Sequence, residues 1–130
     1  MTFAPDLAQI SALAEAARDL LPEPMRSMAS AVAIRVVDWP DGDVLREMEI
    51  DTAYGLTGLY EGIPLTQKSV MDVVDRPDTV WLYRRPILDE WAARGDVTLT
   101  ALVTHVVVHE FAHHFGWSDE DIARIDPWWT

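Results

Sequence analysis

Residues Thr98–Asp119 read TLTALVTHVVVHEFAHHFGWSD, and the reading of this stretch decides both fold and chemistry. Thr98 is a helix-capping residue type, Leu99, Leu102, Val106 and Phe111 follow at helical spacing, and Gly116 stands where a helix naturally stops. The stretch therefore predicts one helix from Thr98 to Gly116. On it His109 and His113 lie one turn apart, about 6 Å of rise and roughly 40° of rotation, so both imidazoles can reach one ion. Glu110 sits roughly 100° around the helix from His109, which aims its carboxylate at a water beside the ion instead of at the ion. A metal brings the pKa of such a water toward 7, and a carboxylate can take its proton and return it to a leaving amine. Metal-assisted peptide hydrolysis is the reaction expected of this pattern.

A catalytic zinc takes three protein ligands and a water. The chain has no Cys, so the third ligand must be His or carboxylate, and Asp119 is the expected one. On an unbroken helix it would lie about 9 Å beyond His113 along the axis, out of reach. A left-handed Gly116 would end the helix and turn the chain back, letting Asp119 approach the metal. Asp119, Glu120 and Asp121 also suit the first turn of a last short helix begun by Ser118, so Asp121 and Glu120 remain alternatives. His105, about 12 Å along the axis from His113, is expected to be a packed or supporting residue. His114 projects off the ligand face and is expected to be partly exposed or paired with a carboxylate. Two imidazoles and a carboxylate accept several divalent ions, with zinc (Zn2+) the expected metal.

Outward from this helix, Leu7, Ile10, Leu13, Ala14, Ala17, Leu20 and Leu21 predict a first helix closed by Pro22 and Pro24. Residues 31–39, AVAIRVVDW, predict a core strand followed by the turn WPDGD. Asp43 is expected to cap a short helix reaching Met48. Gly55, Gly58, Gly62 and Pro64 break the middle third into loops with one strand around Leu59 and Tyr60. TVWLYR at 79–84 predicts another strand, and Pro86 a helix to about Ala93, closed near Gly95.

The chain of 130 residues carries 10 Lys and Arg against 22 Asp and Glu, a net charge of -12, with 49% hydrophobic residues and six Trp. One globular domain spanning 1–130 is expected. A surface this acidic repels nucleic-acid phosphates and anionic membranes, which leaves a peptide or protein substrate as the expected partner. MTFAPDLAQI at the N-terminus lacks a basic region followed by an apolar stretch, and no run approaches the roughly 20 apolar residues of a membrane span. A cytoplasmic location follows as the expectation; oligomeric state is not readable.

Beyond the helix, DWP at 38–40, GLYEGIPL at 58–65, LYRRPIL at 82–88 and HEFAHHFGWSDEDI at 109–122 stand in the same order as blocks of a known family. With its HExxHxxGxxD pattern the chain resembles the small bacterial zincin-like metallopeptidases, or minimal zincins, from about Ala31 to Ile125. The resemblance implies an α+β, minimal zincin-like fold, with a short mixed β-sheet packed against an N-terminal helix and the HExxH helix. It also implies zinc on His109, His113 and Asp119 and a catalytic Glu110.

Other residues have assignable expectations. Tyr60 or Tyr83 would add a hydroxyl donor to a developing oxyanion if either faced the cleft, with core packing the plainer role. Arg84 and Arg85 are expected to pair with Asp89, Glu90 or the end of the metal helix. GIPL at 62–65 is a candidate edge for docking a peptide by backbone hydrogen bonds. Trp117, Trp128 and Trp129 are expected to cover the core. The competing functional readings are a metal-binding module that recruits a partner without hydrolysis, and a regulatory peptidase with one dedicated protein substrate.

Overall fold

A computed structural model describes residues 4–62, 78–118 and 120. Helix α1 (Leu7–Asp19) opens at Asp6, whose carboxylate accepts the Gln9 amide while the Gln9 side chain accepts the Asp6 amide, both at 2.8 Å. Two otherwise orphaned donors are thereby satisfied reciprocally. Its buried stripe is Ile10, Ala14 and Ala17, one helical face that packs on the sheet and on the last described helix. Where Pro22 and Pro24 predicted only a break, a short helix α2 (Met25–Ala29) follows with Pro24 at its cap, a position whose missing N–H a helix does not use.

Strand β1 (Ala33–Val37) leads to helix α3 (Gly42–Glu47). The cap of α3 is Asp41 and not Asp43 as the sequence suggested; Asp43 lies in the first turn, paired with Arg46, where a carboxylate also complements the helix dipole. A 3-10 turn at Ala53–Gly55 precedes strand β2 (Gly58–Glu61), and β3 (Thr79–Tyr83) runs directly into helix α4 (Arg84–Arg94). Pro86 is the third residue of α4, not its opener, still within the turn that makes no internal N–H bonds. Gly95, at φ 73°, closes α4 in the left-handed conformation expected of it.

The three strands form one mixed sheet in the order β1-β3-β2, with β1 parallel and β2 antiparallel to β3. The central strand buries Val80 and Leu82 completely, as β-branched and apolar residues do where a strand is covered on its core face. Helix α5 (Leu99–His114) lies across that face against β2, β3 and α1. Its cap is Thr98, whose hydroxyl accepts the Ala101 amide at 3.0 Å. At its far end the Trp117 amide donates to the Ala112 carbonyl and the Gly116 amide to the His113 carbonyl, both at 3.0 Å, with Gly116 at φ 89°. These two bonds and the left-handed glycine are a complete Schellman stop. Leu102, Val103, Val106, Val107 and Phe111 of α5 complete the core with α1 and β3. Helices and one small mixed sheet make the fold α+β, as the sequence predicted.

Candidate active site

The strand pleat determines what meets α5. Gly58 and Tyr60 of β2 point toward the helix, because a β-carbon on Gly58 would lie 2.7 Å from Val106 Cγ1 and 3.3 Å from Glu110 Cγ. The absent side chain lets the backbone of β2 rest on α5 beside Glu110. His109, Glu110 and His113 are half-buried and open on a cleft of about 690 Å³ that Gly58, Tyr60 and Trp117 also line. His109 and Glu110 line a second cavity of about 380 Å³ with Tyr54, Thr57 and Glu90. Leu56 and Gly58 border both spaces. His109 and Glu110 thus stand where two open spaces meet, and an extended chain has room on either side of them.

The imidazoles of His109 and His113 have ring centres 5.1 Å apart, with planes at 77°. Two imidazoles on one tetrahedral zinc, each nitrogen ~2.1 Å from the ion, put their centres roughly 5 Å apart. His113 Nδ1 lies 3.1 Å from the Trp117 carbonyl oxygen. A carbonyl can only accept, so Nδ1 carries the proton and Nε2 keeps its lone pair for a ligand bond. The Schellman stop is what brings Trp117 back to that nitrogen.

Next to the pair, the Tyr60 hydroxyl donates to Asp78 Oδ2 at 2.8 Å and lies 3.0 Å from His114 Nδ1, itself 3.3 Å from Asp78 Oδ2. The Tyr60 oxygen accepts from the Nδ1 proton, and the three side chains tie β2, the start of β3 and the end of α5 together. Burial, with the Asp78 hydrogen bond and charge, raises the Tyr60 phenol far above its ordinary pKa.

A family model describing zincin-like metallopeptidases matches residues 29–129. The chain belongs to the zincin-like metallopeptidase family. The match spans β1 to α5 and the site above, and leaves α1 outside. A search of curated proteins found no match. The three-stranded mixed sheet on α5 accords with a small zincin-like fold, and zinc binding is what membership of this family implies.

The structure of this zincin-like chain brings together His109, Glu110 and His113. Asp119 and Asp121 lie outside the described residues, as do Trp128, Trp129 and the Ile63–Leu65 part of GIPL. Among the described residues no three His, Asp or Glu side chains form a group that could hold a metal ion, and Glu120, which is exposed, joins none. Other expectations are met in part and corrected in part. His114 is not partly exposed but 3% exposed, with Asp78 as the carboxylate beside it. His105 is buried, its ring centre 6.3 Å from that of His109, as a packed histidine. Arg84 does make a structural pair, but with Asp38 at 2.8 Å, and it donates to the Pro5 carbonyl at 2.7 Å; Glu90 pairs instead with Arg94 at 3.4 Å. Arg85 is exposed.

Of the two tyrosines, Tyr60 lines the cleft with its proton committed to Asp78. Tyr83 lies in a different cavity, on the face of the sheet turned away from α5. Burial and the carboxylates of Asp41, Glu61 and Glu110 push its phenol up to about 12. Sequence reasoning missed Asp78 and the role of Gly58. A glycine inside a strand pattern was the available signal for a close backbone approach; nothing local marks Asp78. No helix among the described residues is long and apolar enough to cross a membrane.

Proposed function

We propose that the chain is a zinc-dependent peptidase in which His109, His113 and Asp119 hold the ion and Glu110 is the general base. The observation that carries this reading is the His109–His113 pair, 5.1 Å between ring centres, with Glu110 on the same wall of a cleft bordered by β2. Zinc, when bound, supplies a Lewis acid that polarises a carbonyl and brings the pKa of a water toward 7. Glu110 takes the proton of the attacking water and delivers it to the departing amine. The His113 bond to the Trp117 carbonyl fixes the tautomer and ring orientation. The outer edge of β2, unpaired by any described strand, offers backbone hydrogen bonds to an extended peptide, which would carry a scissile carbonyl past His109 and Glu110. The open cleft suits short peptides or exposed protein segments.

The test is cleavage of a fluorogenic peptide library by zinc-supplemented protein, with and without a chelator, beside Glu110→Gln. Cleavage is expected, abolished by the chelator and at least ~100-fold slower in Glu110→Gln. Undiminished turnover by Glu110→Gln would remove Glu110 from the chemistry. Zinc binding with no member cleaved would favour the partner-recruiting module or the regulatory peptidase with one dedicated substrate.

A further inference from the structure

The sheet has a second cavity that the catalytic reading does not use. Because Gly58 and Tyr60 face α5, Leu59 and Glu61 point to the opposite face, where the register sets Leu59 beside Trp81 and Tyr83 beside Val37. There a cavity of about 290 Å³ is walled by Trp39, Trp81 and Tyr83, with the carboxylates of Asp41 and Glu61 at its border. Trp39 is held edge-on against Tyr54 with ring centres 5.0 Å apart. Among the described residues the lining has no Lys, Arg or His; Arg35, exposed on the same face across from Trp81, is not part of it. Neither Asp41 nor Glu61 is in an ion pair with a described residue.

The Tyr83 side chain, 3% exposed, lines this cavity and its hydroxyl has no hydrogen-bond partner among the described residues. A hydroxyl oxygen without a partner can accept a hydrogen bond from a ligand in the cavity. Aromatic faces attract cations, two carboxylates add charge, and a phenol oxygen accepts an N–H. Burial, followed by the charges of Asp41, Glu61 and Glu110, raises the Tyr83 phenol to about 12. The net charge of -12 draws cations toward it.

We propose that this cavity receives the basic side chain, arginine or lysine, of a peptide lying along the outer edge of β2, and so selects substrates that carry one. Leu59 borders both this cavity and the catalytic cleft, and alternate side chains of a chain paired to β2 project to the two faces. One face of a bound peptide meets His109 and Glu110, and the other meets Trp81 and Glu61. The cation site stands on its own geometry, whereas its role in substrate choice rests on the peptidase reading.

The experiment titrates the intact protein with N-acetyl-arginine amide and its neutral counterpart N-acetyl-citrulline amide. The indole N–H signals of Trp39 and Trp81 are followed by NMR, assigned with Trp39→Phe and Trp81→Phe. Saturable shifts of both indoles with arginine, absent with citrulline, are expected. Asp41→Asn combined with Glu61→Gln should weaken binding roughly tenfold, while Glu110→Gln and metal removal leave it unchanged. Equal shifts from both amides, or none, would overturn the proposal. In the peptide library, cleaved members should be enriched in arginine or lysine at one position, and that preference should vanish in the double variant; cleavage without it would also overturn the proposal. Indole shifts with no cleavage at all would count against the general peptidase reading, overturn the role of the cavity in its substrate choice, and leave the cation site standing.

Discussion

Gly58→Ala adds a single methyl group where β2 rests on α5. Its carbon would sit 2.7 Å from Val106 Cγ1, 3.2 Å from the Trp81 carbonyl oxygen and 3.3 Å from Glu110 Cγ. Carbon atoms pack at about 3.5–4.0 Å, so strand and helix must separate by roughly 0.8 Å or more. Val106 cannot swing aside, since a β-branched side chain in a helix has one favoured rotamer and this one is 2% exposed. The Trp81 carbonyl belongs to the central strand and blocks a sideways retreat. Overpacking of this kind costs about 1–3 kcal/mol, which should lower Tm by roughly 5–10 °C for a domain of this size. A displacement approaching 1 Å at Glu110 should also slow peptide turnover on the order of 100-fold. Thermal unfolding followed by circular dichroism, and turnover per folded molecule, read the two effects. Gly95→Ala is the control: nothing lies within 4 Å and φ is 73°, so it should cost about 1–2 kcal/mol of left-handed strain with turnover unchanged. Val106→Ala added to Gly58→Ala should recover part of the lost turnover, a coupling expected only of groups in contact. A Gly58→Ala protein with wild-type Tm and turnover would refute the close approach of β2 to α5 beside Glu110.

Thr98→Ala removes the cap of α5 and should cost about 1 kcal/mol in urea unfolding, with peptide specificity unchanged. Asp78→Asn replaces the ionic acceptor of a side chain that is 11% exposed, and should cost about 1–3 kcal/mol, against roughly 1 kcal/mol for Tyr60→Phe, measured by the same unfolding. Tyr83 has a folded pKa of about 12 against about 10 in an unfolded chain. The unfolded state therefore ionises first, and the contribution of Tyr83 to stability is full below pH 10 and lost as pH rises from about 10 to 12. Tyr83→Phe should flatten the fall in stability over that window, and should leave the tyrosinate absorbance of the folded protein at pH 11 unchanged.

The metal helix was legible because its signals agree. Thr98 at the start, apolar residues at helical spacing and Gly116 at the stop all specify one element, and a helix of known geometry brings His109 and His113 together. Helical geometry also says that His114 leaves the ligand face, but it cannot say what covers that face. Tyr60 in β2 and Asp78 just before β3 do so, 54 and 36 positions earlier in the chain. The caps of α1 and α3 show a second limit. Asp6 with Gln9, and Asp41 beside Asp43, are acidic or amide residues near a helix start, and only the backbone decides which stands at the cap. Arg84 was expected to pair with Asp89, Glu90 or the end of the metal helix, whereas Asp38 reaches it through the parallel pairing of β1 with β3. The cavity on the outer face needed the strand register itself, since alternation gives two faces to each strand but not which residues of three strands share one.

The most direct test of the metal site is zinc content by mass spectrometry of the purified protein after zinc supplementation, beside Glu110→Gln and Asp119→Ala. About one zinc per chain is expected in the wild type and in Glu110→Gln, and loss of zinc in Asp119→Ala, because a zinc site needs its third ligand but not its base. No zinc in the wild type would contradict the metal centre, and full zinc in Asp119→Ala would contradict Asp119 as its third ligand.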